Sequence, residues 1–131
     1  MQEKNLYEYA IIRLVPKVER EEFINIGILL FCKTQRSLLI KWSVDEQRIR
    51  CMAPYIDLKL VQDQLHSFEK ISQGNKDAGL IAQLDVPSRF RWLTAARSSI
   101  IQTSRIHPGF ADNLQDKLDS LFEELVAIVT E

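Results

Sequence analysis

The chain has 131 residues, of which 46% are hydrophobic, and its 17 Lys and Arg against 18 Asp and Glu give a formal net charge of −1. This length suits a single domain, residues 1–131, whose core needs no metal or disulfide. The near-zero charge excludes a general electrostatic attraction to nucleic acid or to membrane surfaces and leaves only a local patch for either.

The N-terminal third predicts three strands joined as an antiparallel meander. Residues 7–15, rich in aromatic and β-branched side chains, end at Pro16, and residues 23–32 and 37–42 form the next two strands. Because the connections between them are short, neighbouring strands are expected to pair antiparallel.

The second strand is predicted to have two unlike faces. Strict alternation places a wholly apolar row on one face, suited to lying beneath helices: Ile24, Ile26, Ile28, Leu30 and Cys32. The opposite face carries Phe23, Asn25, Gly27, Leu29 and Phe31, and the matching face of the first strand carries Tyr7, Tyr9, Ile11 and Arg13. Asn25 and Gly27 are poor strand formers, which leaves two interpretations open: a ligand-binding depression, or a bulge at Gly27 with a hydrogen-bonded Asn25.

Helices follow the three strands. Ser43 and Glu46 have capping-box spacing and predict a short helix that stops before Pro54. Asp57 can cap a longer helix with apolar residues at helical spacing, and Gly74 ends it.

The last third predicts one helical turn, a strand and an amphipathic helix. Phe90 and Leu93 are compatible with the turn, and residues 99–103 form the strand. Asp112 with Gln115 resembles an N-cap pair for the terminal helix, whose apolar positions are Leu114, Leu118, Leu121, Phe122, Leu125 and Val129. The order β-β-β-α-α-β-α predicts an α+β fold, an antiparallel sheet of about four strands with helices packed on one face.

The segment between Asp85 and Asp112, which we call the arginine block (residues 86–111), has an unusual charge composition. It contains no Asp, Glu or Lys but four of the nine arginines: Arg89, Arg91, Arg97 and Arg105. A guanidinium is a planar, permanently charged fork that matches carboxylate and phosphate. We therefore expect an anion site built from the block, with Asn25 contributing from the second strand: Arg91, Arg97, Ser98, Ser99, Gln102, Ser104 and His107.

Two questions about this site stay open. If residues 98–105 are a strand, Ser98, Gln102 and Ser104 share one face while Ser99, Thr103 and Arg105 share the other, and the burial pattern does not choose between them. The alternative to a binding role is that the arginines pair with acids of the same chain, with Glu21 or Glu22 as the structural counter-charge.

Nucleic acid is a less favoured ligand for the block. Arg89, Phe90, Arg91 and Trp92 interleave charge with aromatic surface, as in proteins that stack bases and contact phosphates. However, Phe90 and Trp92 are more simply explained as core residues, and the absence of lysine weakens a broad electrostatic footprint.

The sequence offers little support for catalysis, a metal or a cofactor. It has no nucleophile elbow, no His-Glu metal spacing and no phosphate-cradling glycine loop. His107 is expected to have a structural role at a turn beside Pro108 and Gly109. Cys32 and Cys51 form no CxxC pair and are expected to be free thiols in a cytoplasmic protein without a secretion signal.

Two segments, residues 18–27 and 91–104 with His107 and Gly109, resemble a bacterial family catalogued as domain of unknown function 3037. The chain departs from the family pattern at Ala96, where proline is usual, and at Pro108, where a hydroxyl residue is common. The resemblance implies no established activity. It implies a kinase-like protein of the HipA type as partner, because family members are often encoded beside one.

We therefore expect a small cytoplasmic, non-catalytic binding or accessory module with an Arg- and Ser-rich site for phosphate or carboxylate. The alternative is an enzyme acting on a phosphorylated or nucleotide-like substrate.

Overall fold

A computed structural model describes residues 4–127. The strands are β1 (Asn5–Leu14), β2 (Ile24–Cys32), β3 (Ser37–Trp42), β4 (Ile101–Thr103) and β5 (His107–Ala111). The helices are α1 (Glu46–Met52), α2 (Leu58–Gln73), α3 (Val86–Leu93) and α4 (Leu114–Leu125), and 3-10 turns occupy Val18–Arg20, Lys76–Ala78 and Ile81–Gln83. Among these residues no helix is both long enough and apolar enough to cross a membrane.

The strands form one antiparallel sheet, which confirms the predicted α+β class. Its order is β3-β2-β1, and both β4 and β5 pair with the other side of β1. The fifth strand was not predicted, and the expected turn at Pro108 and Gly109 is wrong, because these two residues lie within β5. β5 is at the edge of the sheet. A proline is tolerated there because its missing N–H removes no hydrogen bond between two inner strands.

A bulge in β2 changes which side chains share a face. Ile12 pairs with Gly27 and the next residue, Arg13, pairs with Asn25, so Ile26 is an extra residue on β2. As a result Ile24 and Ile26 lie on the same face as Leu29 and Phe31, whereas Ile28 and Leu30 lie on the other face. The strict alternation predicted for β2 is therefore wrong. The bulge also explains Gly27, since an added Cβ would lie 2.8 Å from the Lys41 carbonyl oxygen.

Helices cover both faces of the sheet rather than one. The first core lies between the sheet and α1, α2 and α3, and includes Ile12, Leu29, Ile49, Leu65 and Phe90. The second core lies between the other face and α4, and includes Tyr7, Ile28, Leu30, Leu118 and Phe122. β2 lies between these two helical layers and is almost wholly buried. Both of its faces are therefore apolar, as is typical of a strand that is covered on both sides.

Each α-helix begins at a carboxylate or amide side chain that accepts a backbone N–H of the first turn. Asp57 caps α2, and Gly74 ends it in the left-handed conformation with φ 68°, as the sequence predicts. The other two predicted caps are each displaced: Asp45 rather than Ser43 caps α1, and Asn113 rather than Asp112 caps α4. Val129, predicted to extend the terminal helix, lies outside the described residues.

Candidate anion-binding site

The arginine block does not form one continuous surface. It is divided among α3, the loop that follows α3, and the two short strands β4 and β5. Arg91 lies on the exposed side of α3, where its guanidinium donates to the Ser88 hydroxyl at 3.3 Å. Ser98 is exposed in the loop.

Arg97 is held by the end of α3. Its guanidinium donates to the carbonyl oxygen of Trp92 and, at 3.4 Å, to that of Ala95. The guanidinium carbon lies 4.7 Å from the centre of the Trp92 ring and 5.2 Å from that of Phe68. Partial burial between these rings lowers the pKa of Arg97. The side chain therefore closes the C-terminus of α3, where a cation also meets the favourable end of the helix dipole.

Two of the predicted hydroxyl residues are used by the backbone. Ser104 is 5% exposed, and its hydroxyl accepts the Ile11 N–H at 2.8 Å and donates to the Arg105 carbonyl at 2.8 Å. The Ser99 hydroxyl donates to the Ile101 carbonyl at 2.7 Å. These contacts hold β4 and its continuation into β5 against β1.

His107 is placed by the sheet. It pairs with Tyr9 across β1 and β5, and the two rings stack with their centres 5.1 Å apart. Two residues along, Gly109 pairs with Tyr7, and an added Cβ at Gly109 would collide with the Tyr7 ring.

In the part of the chain that the structure describes, no carboxylate forms an ion pair with an arginine of the block. The four ion pairs found there are Arg20–Glu22, Lys41–Asp119, Arg50–Glu46 and His66–Glu69. The predicted counter-charge Glu22 thus pairs with Arg20, while Glu21 is exposed with φ 56°.

A large groove lies beside the start of the block. It has a volume of about 850 Å³ and runs between the β2–β3 turn and the N-terminus of α3. We call it the basic groove and define it by its lining: Phe31, Lys33, Thr34, Arg36, Asp85, Val86, Pro87 and Arg89. Three of these side chains are cations and one is an anion.

Arg89 anchors one side of the basic groove. Its guanidinium donates to the Leu84 carbonyl at 2.7 Å, while its Nε atom is buried without a hydrogen-bond partner. An added Cβ at Gly74 would lie 3.2 Å from the guanidinium carbon, so a glycine there both ends α2 and makes room for Arg89. Arg89 also lines an adjoining opening of about 460 Å³ that includes Lys76.

The single carboxylate of the groove is committed to α3. Asp85 accepts the Ser88 N–H at 2.9 Å as the helix cap. Hydrogen bonds from Ser88, and more weakly the charges of Arg91 and Arg89, hold the pKa of Asp85 below its usual range. Lys33 and Arg36 take part in none of the ion pairs described above.

Sequence reasoning placed Arg89 in the block but did not assign Lys33 or Arg36 to a site. Their only signal was a polar turn between two strands. The predicted residues that the fold does bring together are Asn25 and Gln102, which lie on the other face of the sheet beside Arg13. No group of three or more potential metal ligands occurs among residues 4–127.

Comparison with known proteins adds a family but no function. Residues 9–126 match the family model described as "Protein of unknown function (DUF3037)". No curated protein and no solved structure matches the chain.

Proposed function

The chain belongs to this family, whose description assigns no activity, and we propose that it is a non-catalytic accessory module that binds a phosphate-bearing partner in the basic groove. The observation that carries the proposal is the charge of the groove. Lys33, Arg36 and Arg89 line it from two separate segments, and its one carboxylate, Asp85, caps a helix. Such an excess of positive charge favours a phosphate dianion, which Arg can bind through two parallel hydrogen bonds.

The lining supports binding rather than catalysis. Thr34 is its only hydroxyl side chain, and the groove includes no histidine or cysteine. With the oxygens of Asp85 accepting from the start of α3, the groove lacks a free general base beside a nucleophile.

The proposed occupant is a protein segment carrying a phosphorylated side chain. The groove is open to solvent and its lining includes the aromatic ring of Phe31, which suits an extended chain better than an enclosed small molecule. A kinase-like protein of the HipA type, implied by the family resemblance, is the partner we propose. The exposed thiol of Cys51 fits a reducing compartment, so we propose the cytoplasm as its location.

The test is an NMR titration of backbone amides with a phosphoserine peptide and with the same peptide unphosphorylated. The phosphopeptide is expected to shift the amides of residues 33–36, 85, 86, 88 and 89. The double variant Lys33→Gln/Arg36→Gln should weaken its binding about tenfold or more, since each charge-assisted hydrogen bond contributes ~1.5–3 kcal/mol.

Arg105→Gln is the matched control, because Arg105 belongs to the same block, is exposed and does not line the groove. The Arg105→Gln variant should bind the phosphopeptide with the same affinity as the wild type. Equal weakening in both variants, or equal shifts by the two peptides, would show non-specific attraction and overturn the proposal.

A further inference from the structure

A second polar cluster lies on the opposite face of the sheet from the basic groove. Arg13 in β1 pairs with Asn25 in β2 on one side and with Gln102 in β4 on the other. Directly paired residues of an antiparallel sheet project to the same face, so the three form a row across three strands, which we call the Arg13 row. Its neighbours on β1, Ile12 and Leu14, project into the first core, so the row lies on the α4 side.

Arg13 is half-buried and has no counter-charge among residues 4–127. Its guanidinium carbon lies 4.1 Å from the centre of the Phe23 ring, and its Nε atom is buried without a hydrogen-bond partner. None of the ion pairs of the described chain involves it. A buried N–H donor that lacks a partner among the described residues is costly in free energy, and an anionic ligand that accepts from it would remove that cost.

The two amides beside Arg13 have fixed orientations. Asn25 donates through Nδ2 to the Leu125 carbonyl at the end of α4, at 3.1 Å, and Gln102 donates through Nε2 to the Ser99 carbonyl at 2.9 Å. Asn25 Oδ1 remains buried and without a donor. The row therefore contains one buried donor without an acceptor, Arg13 Nε, and one buried acceptor without a donor, Asn25 Oδ1.

Asn25, but not Arg13 or Gln102, lines a small cleft. Its volume is about 190 Å³, below the range of about 300–1,000 Å³ for drug-sized ligands. Most of its walls are apolar, including Ile24, Ile26, Ile49, Phe122 and Val126. Its two charged residues have opposite signs and bond backbone groups: Arg48 donates to the Val126 carbonyl, and Asp45 accepts the Arg48 N–H.

We propose that the Arg13 row binds a small carboxylate that carries a hydroxyl or amino group next to its carboxyl group. The carboxylate satisfies the guanidinium of Arg13, and the neighbouring donor satisfies Asn25 Oδ1. A single guanidinium balances a monoanion, whereas a phosphate dianion suits the three cations of the basic groove. This site is therefore distinct in position and in charge from the groove on the other face.

The test is an NMR titration with three probes: lactate, propanoate, which lacks the hydroxyl, and inorganic phosphate. Lactate is expected to shift the side-chain amide resonances of Asn25 and Gln102 at concentrations below about 10 mM. A site with a dissociation constant of about 1 mM is nearly saturated at that concentration. Propanoate should bind about fivefold or more weakly, because Asn25 Oδ1 then stays unpaired. Phosphate should leave these two amides unshifted.

Two variants at Arg13 and one at Asn25 separate binding from folding. Arg13→Gln should abolish the lactate shifts, and Arg13→Lys should weaken binding about tenfold, since it keeps the charge but loses the planar fork. Asn25→Asp places a carboxylate opposite Arg13 and removes the donor to the Leu125 carbonyl, so it should abolish lactate binding. Arg105→Gln should bind lactate like the wild type.

The proposal is overturned if lactate leaves the two amides unshifted, or if Arg13→Lys and Arg105→Gln bind it equally well. It is also overturned if propanoate and lactate bind equally, which would leave Asn25 Oδ1 without a role. Binding of lactate that persists in Asn25→Asp would place the ligand elsewhere.

Discussion

Arg97 lies within hydrogen-bond reach of two backbone carbonyls and against two aromatic rings, and these contacts cap the C-terminus of α3. The sequence shows an arginine in a segment without acids, from which an anion site is a reasonable hypothesis. It does not show that the chain turns back after α3, so that the guanidinium reaches the carbonyl of Trp92. The carbonyl oxygens carry partial negative charge at the helix end, so they stabilise the guanidinium without a carboxylate partner.

Replacing Arg97 by alanine is therefore expected to affect stability rather than phosphopeptide binding. The loss of the hydrogen bonds and of the ring contacts should lower the free energy of unfolding by about 1–2 kcal/mol, a value reduced for the solvent exposure of the site. Urea denaturation measures this change, and the peptide titration of the basic groove should be unaltered.

Arg91→Ala is the control for Arg97→Ala. Arg91 is exposed and makes one long hydrogen bond on the same helix, so its loss should cost below about 0.5 kcal/mol. If Arg97→Ala weakened phosphopeptide binding and left the unfolding free energy unchanged, the anion site would lie around Arg97, as the sequence alone suggested.

At the scale of elements, α3 connects the helix cap with the basic groove. Asp85 is both the N-cap of α3 and the one carboxylate in the groove lining. Its pKa is lowered in the folded chain, above all by hydrogen bonds from Ser88. A carboxyl group whose pKa falls on folding stabilises the fold above its unfolded pKa, near 3.9, and this stabilisation is lost as the pH falls through the lower folded pKa.

The expected result is that acidification from pH 7 to about pH 3 destabilises the wild type more than Asp85→Asn. Asparagine is a comparably good cap at neutral pH, so the two proteins should have similar stability there. Urea unfolding at both pH values measures the difference. A parallel loss of stability in both proteins would show that Asp85 does not contribute to the acid sensitivity.

Elements with a strong repeating pattern were predicted well, and elements defined by a single local exception were not. β1, β3 and α2 follow from runs of apolar residues with the period of a strand or a helix, and the ends of α2 follow from Asp57 and Gly74. The bulge at Ile26 and Gly27 adds one residue to β2, so the residues after it project to the face opposite to the one that strict alternation predicts. The strand propensity of the segment gives no sign of this extra residue. β5 contains a proline and a glycine, so its sequence favours a turn, and only its pairing with β1 makes it a strand.

The candidate sites show the same limit. The groove brings the β2–β3 turn against the N-terminus of α3, which are far apart in sequence, and no periodicity links Lys33 and Arg36 to Arg89. In contrast, the sequence did place Asn25 and Arg13 on matching faces of neighbouring strands, and this prediction is confirmed because the bulge begins just after them.

At the scale of the whole molecule, one sheet carries two cores and two candidate sites on its opposite faces. β1 and β2 contribute buried side chains to both cores, as Ile12 with Tyr7 and Leu29 with Ile28 illustrate. Unfolding of either helical layer would expose one face of these shared strands. We therefore expect the two layers to unfold together in one cooperative transition.

Double variants test this arrangement, because substitutions in separate cores should be energetically independent even though the protein unfolds as a unit. Ile49→Val in the first core and Ile28→Val in the second should each cost about 0.5–1.5 kcal/mol, and the double variant should equal their sum within about 0.5 kcal/mol. Phe31→Leu and Phe90→Leu form the contrasting pair, since their rings stack 4.9 Å apart within the first core and should couple by more than this margin.

Urea unfolding followed by far-UV circular dichroism and by tryptophan fluorescence should give coincident curves for every variant. Separate transitions by the two probes in Ile28→Val would mean that α4 detaches on its own, and the two cores would then be independent folding units.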